Sequence, residues 1–178
     1  DPAELAWDGH SLRHEGRTVD LVYNRLTDFY LEQPASAALR AAFAAGAVVL
    51  TPLPHAHALY ADKRNLVVLG DAERLTALGA PADAIATLVA GVPHTVEVDA
   101  AHADALWAAR RGLFFKPAAG FGSRAAYRGD KLTRRVWEEI LTGDYVAQAL
   151  ALPSERRVSL DRVDSALKLD LRAYAYAG

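Results

Sequence analysis

Apolar and polar residues alternate over Thr18-Val19-Asp20-Leu21-Val22-Tyr23, and the β-branched bias of that run predicts a strand with Asn24 and Arg25 at its exit. The alanine-rich run from Ala35 to Ala45, opened by Pro34 and closed by Gly46, predicts a helix. Ala47-Val48-Val49-Leu50 is wholly apolar and predicts a short buried strand closed by Thr51-Pro52-Leu53-Pro54. Strand, helix and strand with short connections predict a βαβ unit with a parallel pair. A helical stretch follows. Asp62 to Asn65 leads into the apolar Leu66 to Leu69, Asp71 caps a helix to Leu78 that Gly79 stops, and Pro81 opens another to Ala90. Pro93 to Val96 predicts a short extended piece, and Ala103 to Arg111 a further helix.

The last third has a different pattern. Leu113 to Lys116 predicts a strand stopped at Pro117, then a loop through Ser123, and a return strand from Arg124 to Arg128 turned at Gly129-Asp130. Leu132 to Leu141 is amphipathic and ends at Gly143, and Tyr145 to Leu150 is again strand-like. Ala166 to Tyr176 alternates, setting Lys168, Asp170, Arg172, Tyr174 and Tyr176 on one face. The expected fold class is α+β with an α/β part: a βαβ lobe over 1–60, a helical connector over 61–112 and an antiparallel α+β lobe over 113–160, with a further strand within 161–178.

Composition narrows the function classes. The 178 residues are 52% hydrophobic and 24% charged, which suits a globular protein and not a disordered one. There is no cysteine, so disulfides, thiolate metal sites and a cysteine nucleophile are excluded. No apolar run approaches the roughly 20 residues of a membrane span, and no secretory pattern opens the chain, so a cytoplasmic protein is expected. The chain begins at Asp1, contains no methionine and stops at Gly178 just after a strand-like run, so a processed product, an engineered piece or an excerpt is expected. The net charge of −2 hides an asymmetry: residues 1–104 carry 7 Lys and Arg against 14 Asp and Glu, and residues 105–178 carry 13 against 8. A basic second half suits a polyanionic ligand.

Candidate chemistry concentrates in Leu113-Phe-Phe-Lys116-Pro-Ala-Ala-Gly120-Phe-Gly122-Ser123-Arg124. Glycines let backbone N–H groups approach phosphate oxygens, and a strand-end lysine supplies a point charge. A Walker A loop needs Gly-Lys followed by Ser or Thr and a helix, and no such run occurs. Gly120-Phe-Gly122-Ser-Arg-Ala125 matches a loose dinucleotide fingerprint, but Pro117 intervenes and strand-like sequence follows, so a β-hairpin flap is expected. An ordinary glycine hairpin has the same local pattern.

Several separated segments together resemble the ATP-grasp superfamily, most closely the bacterial carboxylate–amine ligases of the glutathione and glutathionylspermidine synthetase type. These are Tyr23-Asn24-Arg25, Ala61-Asp62-Lys63, Val92-Pro93-His94-Thr95, Phe115-Lys116-Pro117 with the glycine flap, Tyr145-Val-Ala-Gln148-Ala-Leu150, and Leu169-Asp170-Leu171-Arg172. The resemblance implies that Lys63 and Lys116 reach the phosphates of ATP under a flap of Gly120, Gly122 and Ser123. It implies that Gln148 and Leu150 form the hinge beside the adenine, that Glu155 accepts from ribose hydroxyls, and that Arg172 is a catalytic, phosphate-binding arginine. Asn24 and Arg25 are candidates for a carboxylate substrate, to be joined to an amine. The resemblance also implies Mg²⁺, held by acidic and Asn ligands that follow the Asp-x-Arg strand and are expected beyond Gly178, so the fragment itself is expected to be inactive. The hinge departs from the pattern, with Ala149 where relatives carry an acidic residue.

Two other classes remain open at this point: a non-catalytic nucleotide-binding domain, and a nucleic-acid-binding module. Against the second, the aromatics are not interleaved with basic residues as single-strand platforms require, and no nucleic-acid or membrane partner is expected. His55 and His57 form His-x-His in a Pro-flanked loop, where solvation or capping is the expected role, since only the distant His94 and His102 could complete a zinc site. Glu138 and Glu139 with Arg134 and Arg135 form an ion-paired helix face.

Overall fold

The computed structural model describes residues 1–122, 124–160, 163–171 and 173. The chain is a mixed α+β protein built from small sheets and, among the described residues, seven α-helices. It opens with a three-stranded antiparallel meander, β1 (Leu5–Trp7), β2 (Leu12–His14) and β3 (Arg17–Thr18). β4 (Leu21–Tyr23) then pairs in parallel with β5 (Val49–Thr51), Leu21 opposite Val49 and Tyr23 opposite Thr51. Between them run a 3-10 turn (Pro34–Ser36) and helix α1 (Ala37–Ala44), so the expected βαβ unit forms. Its core is Leu12, Leu31, Leu39, Ala42, Val48 and Leu50.

One expectation fails directly after β5. Pro54 to Tyr60 is helix α2 and not a loop, because Pro54 occupies the first helical position, where its missing N–H costs nothing. His55 and His57 are therefore helical residues. Helices α3 (Asn65–Leu69), α4 (Ala72–Ala77) and α5 (Ala82–Gly91) follow. Asp71 caps α4 as expected, its carboxylate accepting from the N–H groups of Glu73 and Arg74 at 3.0 and 3.1 Å. Gly79, at φ +78°, then takes the left-handed conformation that ends it.

The second core is built on one antiparallel sheet of order β6-β9-β7-β8: β6 (Thr95–Glu97), β7 (Leu113–Pro117), β8 (Tyr127–Arg128) and β9 (Tyr145–Ala149). The extended piece at Pro93–Val96 thus joins the flap sheet, which crosses the boundary expected at residue 112. Helices α6 (Ala103–Ala109) and α7 (Arg134–Thr142) cover one face. Trp137 and Ile140, three apart on α7, bury their side chains against Phe115, Leu106 and Ala147. Phe115 meets the Trp137 ring edge-on at 5.4 Å. Because a strand's side chains alternate, Phe114 and Lys116 flank Phe115 on the opposite face, which stays open to solvent.

The chain ends in a two-stranded antiparallel ribbon, β10 (Ser154–Leu160) with β11 (Val163–Leu169), whose pairing ties together segments expected to fall either side of residue 160. β11 stops at Leu169, earlier than the expected strand to Tyr176, of which residue 172 and residues 174–178 lie outside the described residues.

Candidate functional site

The open face of the β7–β9 pair floors a cleft of about 460 Å³. Three chain segments supply its walls: the stretch before α3 with Lys63, the loop between β7 and β8 with Gly120, Gly122 and Arg124, and the end of β9 with Gln148 and Leu150. Backbone bonds hold these segments together. The N–H of Lys63 donates to the carbonyl of Ala118 at 2.9 Å, and the N–H of Ala118 donates to Asp144 at 2.8 Å. The loop is thereby rooted on one side in the β9 entry and on the other in the lysine segment. Its turn needs left-handed backbone at Gly122 (φ +65°), and Ala125 follows at φ +52°.

The two lysines are held differently. Lys63 donates from Nζ to the carbonyl of Gly120 at 3.2 Å, across 57 residues of sequence, so its charge sits on the loop itself. Lys116 is half-buried and donates to Oε1 of Gln148 at 2.7 Å. Burial, with a smaller contribution from the Lys63 charge, holds its pKa below the usual lysine value. The third cation, Arg124, lies with its guanidinium 5.3 Å from the centre of the Phe121 ring. No carboxylate lines the cleft among the described residues. Asp62, next to Lys63, is engaged by the guanidinium of Arg64, which lowers its pKa. Three cations with apolar Phe114 and Leu150 beside them suit an anion that carries an apolar or aromatic part.

Of the residues singled out from sequence, Lys63, Lys116, Gly120, Gly122, Gln148 and Leu150 line this one cleft. The N–H of Leu150 is already spent, donating to the Gly112 carbonyl at 2.8 Å. Glu155 does not reach the cleft: it lies exposed on β10, opposite Lys168. Asn24 and Arg25 line a separate cleft of about 310 Å³ with His14 and Tyr23. The Asn24 side chain shapes its own turn, accepting from the Leu26 N–H at 3.0 Å and donating to the Pro52 carbonyl at 3.4 Å. Ser123 and Arg172 lie outside the described residues.

Phe121 and Thr95 lie in segments singled out from sequence but carry no role of their own there, and Arg124 is expected on the return strand whose arginines suit a phosphate grip. The Phe121 ring meets Phe29 edge-on at 5.2 Å, and Phe29 stacks on His57 at 3.8 Å, which pins the loop tip to the first lobe. Behind that contact lies a second cleft of about 640 Å³ with Asp28 and Glu32 on its wall. The Asp28 carboxylate is occupied by the N–H groups of Glu32 and Gln33 and the Ser36 hydroxyl. Among the described residues no group of three or more His, Cys, Asp or Glu is placed to hold a metal, and no helix is long and apolar enough to cross a membrane.

Neither a protein-family model nor a curated protein matches the chain. What fold and site define is a mixed α+β protein with a cationic cleft under a glycine loop.

Proposed function

We propose that the cleft binds the polyphosphate of ATP and that the chain belongs to an ATP-grasp-type ligase, which activates a small carboxylate as an acyl phosphate and joins it to an amine. The observation that carries this reading is the convergence of Lys63 and Lys116, from separate segments, on one cleft beneath Gly120 and Gly122. Two ammonium groups and a guanidinium neutralise a triphosphate and the charge that spreads over the transferring phosphoryl group. Phe114 and Leu150 supply apolar wall for the base.

In the reaction, a carboxylate oxygen attacks the γ-phosphorus, the bond to the β-phosphate oxygen breaks and ADP leaves. The amine nitrogen then attacks the acyl carbon, phosphate departs with its bonding pair, and the nitrogen loses a proton. The contribution of Lys63, Lys116 and Arg124 to this sequence is to hold and neutralise phosphate oxygens. The described cleft has no residue suited to Mg²⁺, and no step is assigned to the metal.

ATP titration followed by thermal unfolding tests the site. At a ligand concentration 100 times Kd, binding adds about 2.7 kcal/mol to stability, and Lys63→Ala and Lys116→Ala are each expected to abolish that gain. Unchanged stabilisation by ATP in both variants refutes the assignment. ADP formation by the intact protein that carries this chain, with a carboxylate and an amine present, separates the ligase from the non-catalytic reading.

A further inference from the structure

Behind Lys116 the sheet carries a directed chain of hydrogen bonds. The register sets Thr95 of β6, Gln148 of β9 and Phe114 of β7 in one row across three strands, with Lys116 one pleat further along β7. Thr95 and Gln148 are both buried. The carbonyl of Pro93 can only accept, so the Thr95 hydroxyl donates to it, at 2.8 Å. The Thr95 oxygen is left as an acceptor and takes the amide N–H of Gln148 at 2.9 Å. Gln148 must then present Oε1 at its other end, where it accepts from the Lys116 ammonium at 2.7 Å. No buried side-chain nitrogen or oxygen lacks a partner among the described residues, so neither residue has a competing demand.

We propose that Gln148 and Thr95 are positioning residues for Lys116: the chain from the Pro93 carbonyl fixes the amide, and the amide fixes the ammonium at one point on the cleft floor before any anion arrives. Resting on the polyphosphate reading of the cleft, this gives Gln148 a different task from a hinge residue that meets a base through its backbone. An ammonium has three N–H donors, and one is spent on Gln148, which leaves two for phosphate oxygens. An amide suits this post better than a carboxylate. It accepts from the lysine without adding a negative charge that would repel the phosphates or neutralise the cation.

The test reads Lys116 with no ligand present. Competitive acetylation of the protein over a range of pH gives the titration midpoint of each lysine, with the exposed Lys131 and Lys168 as internal references. The groups facing Lys116 are Lys63 from the segment before α3, Arg124 from the loop and neutral Gln148 from β9, with no carboxylate among the described lining residues. Gln148→Met removes the acceptor, and Thr95→Val removes the bond that holds it in place. Each is expected to move the Lys116 midpoint further down and to raise its labelling at fixed pH roughly tenfold, the equivalent of one hydrogen bond to a charged group. Thr95→Ser is expected to match wild type, and Gln148→Glu to move the midpoint up. Mere loosening of the sheet would hydrate Lys116 and move the midpoint up in all four variants, which overturns the proposal, as does an unmoved midpoint in Thr95→Val and Gln148→Met. A Thr95→Val chain that fails to fold labels Lys116 like Lys131, and the opposite shifts expected of Gln148→Met and Gln148→Glu then decide. ATP titration of the same proteins separates the two claims. The expected midpoints without ATP binding refute the polyphosphate reading alone, and ATP binding with unmoved midpoints refutes the positioning chain alone.

Discussion

Replacing Gly129 by alanine tests how the base of the flap is built. Gly129 is buried at the start of the 3-10 turn Gly129–Lys131, packed against the 3-10 turn Arg110–Gly112. A Cβ at this position would lie 1.8 Å from the Arg110 carbonyl oxygen, 2.7 Å from its carbon and 2.9 Å from the Leu113 oxygen. All three are backbone atoms, so no rotamer change relieves the overlap. Ordinary contact begins at 3.4 Å, so one turn must retreat by more than an ångström. Overpacking costs about 1–3 kcal/mol, and moving backbone places this case at the upper end, ~3 kcal/mol. At this chain length each kcal/mol shifts Tm by about 2–4 °C, so Gly129→Ala is expected to melt about 6–12 °C below wild type. The damage reaches the cleft, because Gly112 accepts the Leu150 N–H and displacing its turn shifts the cleft rim. Gly112→Ala is the control: its Cβ meets nothing within 4 Å, and its stability is expected to stay within about 0.5 kcal/mol of wild type. Thermal and urea unfolding of the pair give the answer. A Gly129→Ala protein melting within about 1 °C of wild type refutes the packing.

Three further outcomes follow from single contacts. His57 is held below the usual histidine pKa, first by burial and then by the Lys63 charge, so the folded state resists a proton that the unfolded chain accepts below about pH 6.5. Stability is therefore lost as pH falls through that value, and His57→Phe should lose less than wild type between urea melts at about pH 7.5 and 5.5. Asp71→Ala removes the cap of α4 and is expected to cost about 1 kcal/mol in urea unfolding, with Asp71→Ser retaining most of it. Asn24→Ala should cost about 1 kcal/mol through the lost turn bonds yet leave stabilisation by ATP unchanged, because Asn24 lines another cleft; a loss of ATP stabilisation in that variant would refute the separation of the two clefts.

Local signals decided what the sequence could reveal. The β4–α1–β5 unit, the Asp71 cap, the amphipathic α7 and the apolar β7 and β9 each carry their cause in neighbouring residues, and each forms near its expected place. The meander β1–β3 was not visible: unlike β4 and β5, its short strands Leu5–Trp7, Leu12–His14 and Arg17–Thr18 stand in no longer apolar or β-branched run. β10 was missed for another reason: Ser-Glu-Arg-Arg-Val-Ser-Leu has no clean alternation, and its extended form is set by pairing with β11. At the site, glycines and strand-end lysines are legible as residue types, and six of the candidates share one cleft. Thr95 was not legible, since nothing in Pro93-His94-Thr95 says that β6 will lie beside β9 and bring a hydroxyl under Gln148. The topology sets Asn24 and Arg25 on a separate cleft and Glu155 on β10 opposite Lys168, placements that no neighbouring residue encodes.

The charge asymmetry of the chain acquires a different meaning once the cleft is drawn. Lys63 belongs to the acidic first part of the sequence, while Lys116 and Arg124 belong to the basic second part. The basic half alone therefore does not make the site. What makes it is the removal of competing carboxylates from around three cations: Asp62 is turned onto Arg64, and Asp28, behind the loop, is spent on backbone N–H groups and Ser36. Pairing the acids elsewhere leaves the cations of the cleft without internal counterions, an arrangement that disfavours the empty folded state and is relieved by a bound anion. Lys116 is held below its usual pKa by burial and by the Lys63 charge. The same charges that destabilise the cleft when empty are then the ones that bind, and the bond that Lys116 donates to Gln148 Oε1 favours its charged form.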